Sequence, residues 1–247
     1  MKAVILAAGK GTRMRRITDT LPKPLTPVGG KRLLEWIVSA IRKADVHEFV
    51  IVTGYLAQTI EEYFGNGAAF GVDIQYVRQE IQNGTAGALR LARNAVGVEP
   101  FLLTFGDILA SFPNYPRMIE EFRKNRPDGL LAVNQVDDPH LGAAVYFEEP
   151  SMRITQIVEK PPYGTSASNW NQAGLFIFDP CIFSCIDNLS LSTRGEYELT
   201  EAVAQSIAAR KEMRALKLSG YRCEIGAPED LEWMENMFRQ NPHFLEK

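Results

Sequence analysis

Cysteine and histidine are scarce in this chain, at three of each in 247 residues. Cys181, Cys185 and Cys223 form an odd, low set, which excludes a disulfide framework and fits free thiols in a reducing cytoplasm. Cys181 and Cys185 could share one helical face, but two thiols without a nearby histidine make a poor zinc site. They read as buried structural thiols. His47, His140 and His243 are scattered and carry no assigned chemistry. No apolar run approaches the ~20 residues needed to span a bilayer, so no membrane partner is expected. The N-terminus MKAVILAAGKG has only a short apolar run and reads as a first core strand, not a signal peptide. Net charge is −3, from 27 basic and 30 acidic residues, which argues against a nucleic-acid partner. There is no internal repeat, low-complexity tract or linker.

What is there is ordinary for a soluble domain: 45% hydrophobic and 23% charged residues. The length suits one α/β domain with a large core. Strand-like runs at 2–7, 48–53, 73–78, 101–105 and 129–135 alternate with helical ones at 31–43, 56–64, 85–95 and 115–125. Leu33, Leu34, Ile37 and Ile41 fall at helical spacing. The alternation predicts a largely parallel sheet with helices on both faces. The runs AAVYF, ITQIVE and QAGLFIF follow with little helix between, which predicts a mixed extension. Two helices follow near 197–210 and 228–239.

Positive charge is concentrated at one place. The strand Ala3–Ala7 leads into a loop with Gly9 and Gly11, and Lys10, Arg13, Arg15, Arg16 and Lys23 follow within fourteen residues. Glycines let a ligand approach the backbone, and successive N–H groups make an anion nest. Arg13 offers a planar fork for phosphate oxygens, and Lys10 and Lys23 offer compact charges. Pro22, Pro24 and Pro27 predict a stiff, extended segment around Lys23. A Walker A loop is excluded because Gly11 follows Gly9-Lys10, and Met14 breaks a dinucleotide fingerprint. The expected ligand is a nucleoside triphosphate.

The strings LAAGKGTRM and PKPLTPV resemble the signature of sugar-1-phosphate nucleotidyltransferases. QEIQNGTAGAL, FGD, LGAAVY, VEKP, NQAGLFIF, GEYELTEAV and EIGAPEDL continue the resemblance in order. It implies a Rossmann-like three-layer α/β/α fold with a central mixed, mostly parallel sheet, in the short form without a C-terminal β-helix. A single domain is expected over 1–247, with the nucleotide part mainly at 1–135 and the sugar-phosphate part mainly at 136–230. The implied reaction joins an NTP and a sugar 1-phosphate, with Mg²⁺ as cofactor, in the cytoplasm. The family includes dimers and tetramers, which leaves a homo-oligomer open.

The resemblance implies Arg13 and Lys23 as catalytic cations. It implies Leu6, Ala8, Gly9, Gly11, Thr12, Arg13, Gln79, Gly84 and Thr85 around the nucleotide. The spacing of Gln79, Gln82, Gly84 and Thr85 is similar to uridylyltransferases, which leans toward UTP. Gly142, Glu159, Lys160 and Asn171 would form the sugar-phosphate pocket, with Gly142 leaving room for the ring. Glu196 and Thr200 would support its wall. Asp107 would hold the metal. Glu224 stands where the family usually has aspartate, and its extra methylene alters the second metal position. Two alternatives stay open. One is a non-sugar acceptor such as phosphocholine, for which Trp170 and Tyr163 could supply an aromatic cage. The other is a non-catalytic nucleotide-sugar-binding regulatory subunit.

Overall fold

The computed structural model describes residues 1–11, 14 and 19–246. Its elements run β1 (Lys2–Ala7), β2 (Pro27–Val28), β3 (Lys31–Arg32), α1 (Leu33–Lys43), β4 (Glu48–Thr53), α2 (Ala57–Phe64) and β5 (Asp73–Arg78). Then come α3 (Thr85–Leu91), α4 (Arg93–Val96), β6 (Phe101–Phe105), β7 (Ile108–Ala110), α5 (Asn114–Asn125) and β8 (Gly129–Gln135). The chain continues through β9 (Ala143–Glu148), β10 (Arg153–Glu159), β11 (Trp170–Phe178), α6 (Ile182–Asp187) and α7 (Leu199–Ala208). It closes with β12 (Met213–Lys217), β13 (Arg222–Glu224) and α8 (Pro228–Gln240).

Nine strands form one sheet in the order β5-β4-β1-β6-β11-β8-β12-β10-β9. The block β5-β4-β1-β6 is parallel, β11 joins β6 antiparallel, and β8 pairs parallel with β12. The three runs at 143–178 therefore extend the same sheet as the mixed half expected from the sequence. Period-two alternation splits the core in two. Ala3, Ile5 and Ala7 of β1 pack with α1 and α5, whereas Val4 and Leu6 pack with α3, α6 and α7. Each fully buried Ile, Leu or Val side chain contributes about 1.5–3 kcal/mol. No helix among the described residues is long and apolar enough to cross a membrane.

Three local expectations change. The first helix begins at Leu33, because Lys31-Arg32 pair with Pro27-Val28 across a two-residue turn. Gly29 and Gly30 take φ of 56° and 78°, the positive values such a turn needs. The expected helix 85–95 ends at Leu91 and restarts at Arg93. Lys23 is not on an extended segment: Lys23–Leu25 is one 3₁₀ turn, with Pro22 extended before it. The fixed φ of Pro24 suits a first helical turn as well as an extended strand. The last helix opens as its sequence implies, with Pro228 at its start and Asp230 Oδ2 accepting the Gly226 and Ala227 N–H groups.

Candidate active site

The C-terminal ends of β1, β4, β5 and β6 all open onto one edge of the sheet, where ligands bind in open α/β folds. A cleft of about 1150 Å³ lies there, and it runs toward β9, β10 and β11. Leu6, Ala8, Gly9, Gln79, Gly84 and Thr85 line it, and so do Asp107, Gly142, Glu159, Lys160, Asn171 and Glu224. Thus twelve of the expected positions, drawn from both halves of the chain, share one cavity. Gly11 and Lys23 are not in its walls; Thr12 and Arg13 lie outside the described residues.

The glycine loop is backed by the end of β4. Tyr55 N–H donates to the Ala8 carbonyl at 3.1 Å, and a Cβ on Gly54 would stand 2.7 Å from that oxygen. Gly11 has φ of 63°, and its carbonyl accepts the Met14 N–H. A Cβ on Gly9 would meet nothing within 4 Å among the described residues, so their packing does not demand that glycine.

Beneath the loop, Lys23 is 7% exposed and its Nζ lies 2.5 Å from Asp107 Oδ2. Asp107 follows β6, and its carbonyl accepts the Ile225 N–H at 2.9 Å. That bond, with β13 pairing β7 so that Glu224 opposes Ile108, fixes the two carboxylate-bearing backbones against each other. Glu224 is paired with Arg222 at 3.1 Å. No cluster of three His, Cys, Asp or Glu able to hold a metal exists among the described residues. Asp107 and Glu224, both lining the open cleft, would offer two carboxylates. That fits Mg²⁺, which takes one or two carboxylates and completes its shell with water and substrate phosphates.

The segment 79–85 is a docked loop. Gln79 N–H bonds the Thr53 carbonyl at 2.7 Å, and its Nε2 donates to Asn83 Oδ1 at 3.0 Å and the Gly84 carbonyl at 3.3 Å. The donor end of Gln79 is thus engaged inside its own loop, and a base using that donor must displace one of these bonds. Gly84 has φ of 102°, and a Cβ there would lie 2.5 Å from the Tyr197 carbonyl oxygen. Close approach to Tyr197 backbone therefore demands this glycine. Thr85 Oγ1 accepts the Leu199 N–H at 3.0 Å, at the first turn of α7.

The sugar-side residues meet, with altered partners. Gly142 leaves room for the Asn171 side chain: a Cβ would stand 2.3 Å from Asn171 Oδ1. That Oδ1 is buried with no hydrogen-bond partner. The Lys160 N–H bonds the Gly142 carbonyl at 2.7 Å, with Lys160 at φ of 42°. Both oxygens of Glu159 are already engaged, Oε1 by Arg194 Nη2 at 2.9 Å and Oε2 by Thr200 Oγ1 at 2.7 Å. Thr200 thus supports the wall as expected, and Glu196 lines the cleft.

The aromatic cage is not formed by its two candidates. Neither Trp170 nor Tyr163 lines the cleft. Trp170 packs on Phe147 and under Lys217 Nζ, and Tyr163 is exposed, edge-on to His140 at 5.0 Å. The cysteines are free and only partly buried; Cys181 donates to Asp128 at 3.4 Å and lies in no metal cluster. Burial, then hydrogen bonding to Asp179 and Asp128, pushes its thiol up to about 12.

Sequence reasoning missed several cleft residues. Arg194 bridges Glu159 and Glu198 and was legible only as a cation directly before the GEYELT string. Asp138 and His140 form the rim, with Asp138 Oδ1 accepting the His140 N–H at 2.9 Å and Oδ2 the Gly164 N–H at 2.8 Å. Arg222 and Trp233 also face the cleft. Arg222 stands two residues before Glu224 on a strand, and so on the same face.

Comparison with known proteins agrees with this geometry. The family model described as nucleotidyl transferase matches residues 2–241. The UTP–glucose-1-phosphate uridylyltransferase AglF of Haloferax volcanii is 32% identical over 241 residues, covering 97% of each chain. A glucose-1-phosphate thymidylyltransferase of Streptomyces griseus is 32% identical over 231 residues, covering 94% of this chain and 64% of that one. The solved structure of a UDP-glucose pyrophosphorylase complexed with UDP-glucose superposes with a TM-score of 0.89 at 25% identity, covering 97% of this chain and 98% of that one. With a family match over nearly its whole length and the cleft at the expected sheet edge, this chain belongs to the nucleotidyl transferase family of enzymes.

Proposed function

We propose that the chain transfers a nucleotidyl group from UTP to a sugar 1-phosphate, giving a UDP-sugar and pyrophosphate. The observation that carries this reading is the single cleft that unites the glycine loop, the Gln79–Thr85 loop, Asp107 and the Glu159–Asn171 wall. A sugar-1-phosphate oxygen attacks the α-phosphorus in line, and pyrophosphate leaves. No protein nucleophile is needed, since the difficulty is to bring two anions together and stabilise more concentrated charge.

Each residue then has a defined task. The Ala8–Gly11 backbone and Arg13 hold the β- and γ-phosphates and the leaving group. Lys23, held in place by Asp107, meets the α-phosphate and the incoming phosphate. Asp107, with Glu224 as a second oxygen donor, would hold Mg²⁺, which would supply neutralising charge to the phosphates. Gln79 and Gly84 face the base. Lys160 reaches the sugar phosphate, and Asn171 and Glu159 face the sugar hydroxyls. Glu159 retains lone pairs beyond the two its protein partners use.

Two relatives at the same 32% identity are named for different bases, so the lean to UTP rests on the spacing of Gln79, Gln82 and Gly84. Both names carry glucose 1-phosphate, which makes that the first acceptor to try. The test is a matrix of nucleoside triphosphates against sugar 1-phosphates and phosphocholine with Mg²⁺, reading pyrophosphate. Release that is fastest with UTP and a hexose 1-phosphate is expected. Release only with phosphocholine, or none with any pair, would refute the reading; the latter outcome is the one a regulatory subunit gives.

A further inference from the structure

We infer that Arg222 is an acceptor-side anion contact, a guanidinium that grips a negative group of the sugar 1-phosphate. The inference rests on the nucleotidyl-transfer reading only for the identity of that acceptor. Three observations lead to it.

The first is place. Arg222 and Glu224 both line the cleft on β13, and pairing with β7 fixes their backbones opposite Ala110 and Ile108. Arg222 Nε donates to the Ala173 carbonyl at 3.3 Å. Ala173 lies on β11, two residues beyond Asn171. The guanidinium therefore sits between the sugar-side strand and the carboxylate expected at the phosphates.

The second is incomplete satisfaction. The Arg222 side chain is only 16% exposed, against 41% for its partner Glu224. Its polar contacts are the 3.3 Å bond to Ala173 and the 3.1 Å bond to Glu224 Oε2. Two of its five N–H donors are thus in use among the described residues, and a guanidinium taken this far from water calls for more.

The third is comparison with the neighbouring cation. Arg194 also lines the cleft, but its guanidinium already bridges the Glu159 and Glu198 carboxylates. Arg222 has one carboxylate, and its planar fork matches the two oxygens of a phosphate or a carboxylate. The group it meets is either the phosphate of the acceptor or an acid carried on the sugar ring. Arg222 thereby neutralises one charge of the acceptor while Glu224 keeps it in register.

The test uses the full chain with glucose 1-phosphate and glucuronate 1-phosphate as probes. Binding of each is measured by calorimetry without nucleotide, and KM is measured with UTP and Mg²⁺. Arg222→Met, Arg222→Lys and Glu224→Gln are compared, with thermal melting to confirm folding. Arg222→Met should weaken acceptor binding by roughly 10- to 100-fold, the worth of one charge-assisted contact, with partial recovery in Arg222→Lys. KM for UTP should change by less than about threefold. Equal loss for both probes assigns the contact to the phosphate, and loss confined to glucuronate 1-phosphate assigns it to a ring acid; both support the inference. Unchanged acceptor binding in Arg222→Met, a phenotype that Glu224→Gln reproduces in full, or no binding of either probe to the wild-type chain would overturn it. Should Arg222→Met fail to fold, Arg222→Lys carries the same comparison. Wild-type binding that depends on Arg222 without pyrophosphate release would sink the transfer reading and leave the contact standing.

Discussion

The ammonium of Lys23 and the carboxylate of Asp107 lie 2.5 Å apart across 84 residues of sequence. The pair joins the proline-flanked turn after the glycine loop to the end of β6. It holds a buried cation against a carboxylate that lines the cleft and keeps it in one position before any ligand arrives. Lys23→Ala should leave the fold intact, because the remaining Asp107 side chain is 29% exposed and can hydrate. Pyrophosphate release should fall about 10²- to 10³-fold, the loss typical of one preorganised donor. Near-normal turnover in a variant with a wild-type circular dichroism spectrum would reject the assignment.

Asp107→Asn tests the metal carboxylate separately. It should shift the Mg²⁺ titration of activity to much higher concentration. An unchanged titration curve would count against Asp107 as the ligand.

Gly84 and Gly9 separate packing from ligand approach. Gly84→Ala forces a Cβ to within 2.5 Å of backbone that cannot rotate away, at φ of 102°. It should cost about 1–3 kcal/mol of stability, seen as a lower Tm. Gly9→Ala meets nothing within 4 Å among the described residues. Its Tm should be unchanged while NTP affinity falls. Equal effects of the two substitutions on Tm would contradict this division.

Gly142 and Asn171 should act as one unit on the acceptor. Alanine at 142 must push aside the Asn171 amide, whose buried Oδ1 lacks a protein donor. Gly142→Ala and Asn171→Ala should each raise KM for the sugar 1-phosphate and spare KM for the NTP. The double variant should be no worse than the poorer single one, as expected for contacting residues. Additive losses would show that Gly142 acts independently.

Cys223 lines the cleft, and burial, followed by the Asp230 charge, pushes its thiol up to about 12. An acid whose pKa is raised stays protonated to higher pH, so little thiolate exists at neutral pH. Iodoacetamide labelling at Cys223 of the folded chain, read by peptide mass spectrometry, should be slow at pH 7–8 and accelerate only as pH climbs beyond the ordinary thiol range. Labelling of Cys223 at pH 7.5 as fast as in the denatured chain would disprove the burial argument.

Much of this was legible because the signals were local. The apolar alternation of β1 and the helical spacing in α1 follow directly from core burial on two sheet faces. The helix expected near 228–239 is observed as α8, Pro228–Gln240. What escaped was set by partners distant in sequence. Gly84 reads as one of the residues around the nucleotide, yet the backbone that demands it belongs to Tyr197. Glu159 reads as part of the sugar-phosphate pocket, and the sequence does not show that Arg194 and Thr200 hold it from 35 and 41 residues away. Lys23 reads as extended because proline permits that, and only tertiary packing selects the 3₁₀ turn. Arg222 gave no signal beyond its period-two relation to Glu224.

The most direct measurement is a crystal structure of the chain with UTP, Mg²⁺ and an unreactive sugar 1-phosphate analogue. The account predicts uracil against Gln79 and Gly84, the triphosphate over Gly9–Gly11 with Lys23 at the α-phosphate, and the sugar beside Glu159 and Asn171. Nucleotide bound outside this cleft, or a glycine loop without phosphate contact, would contradict it.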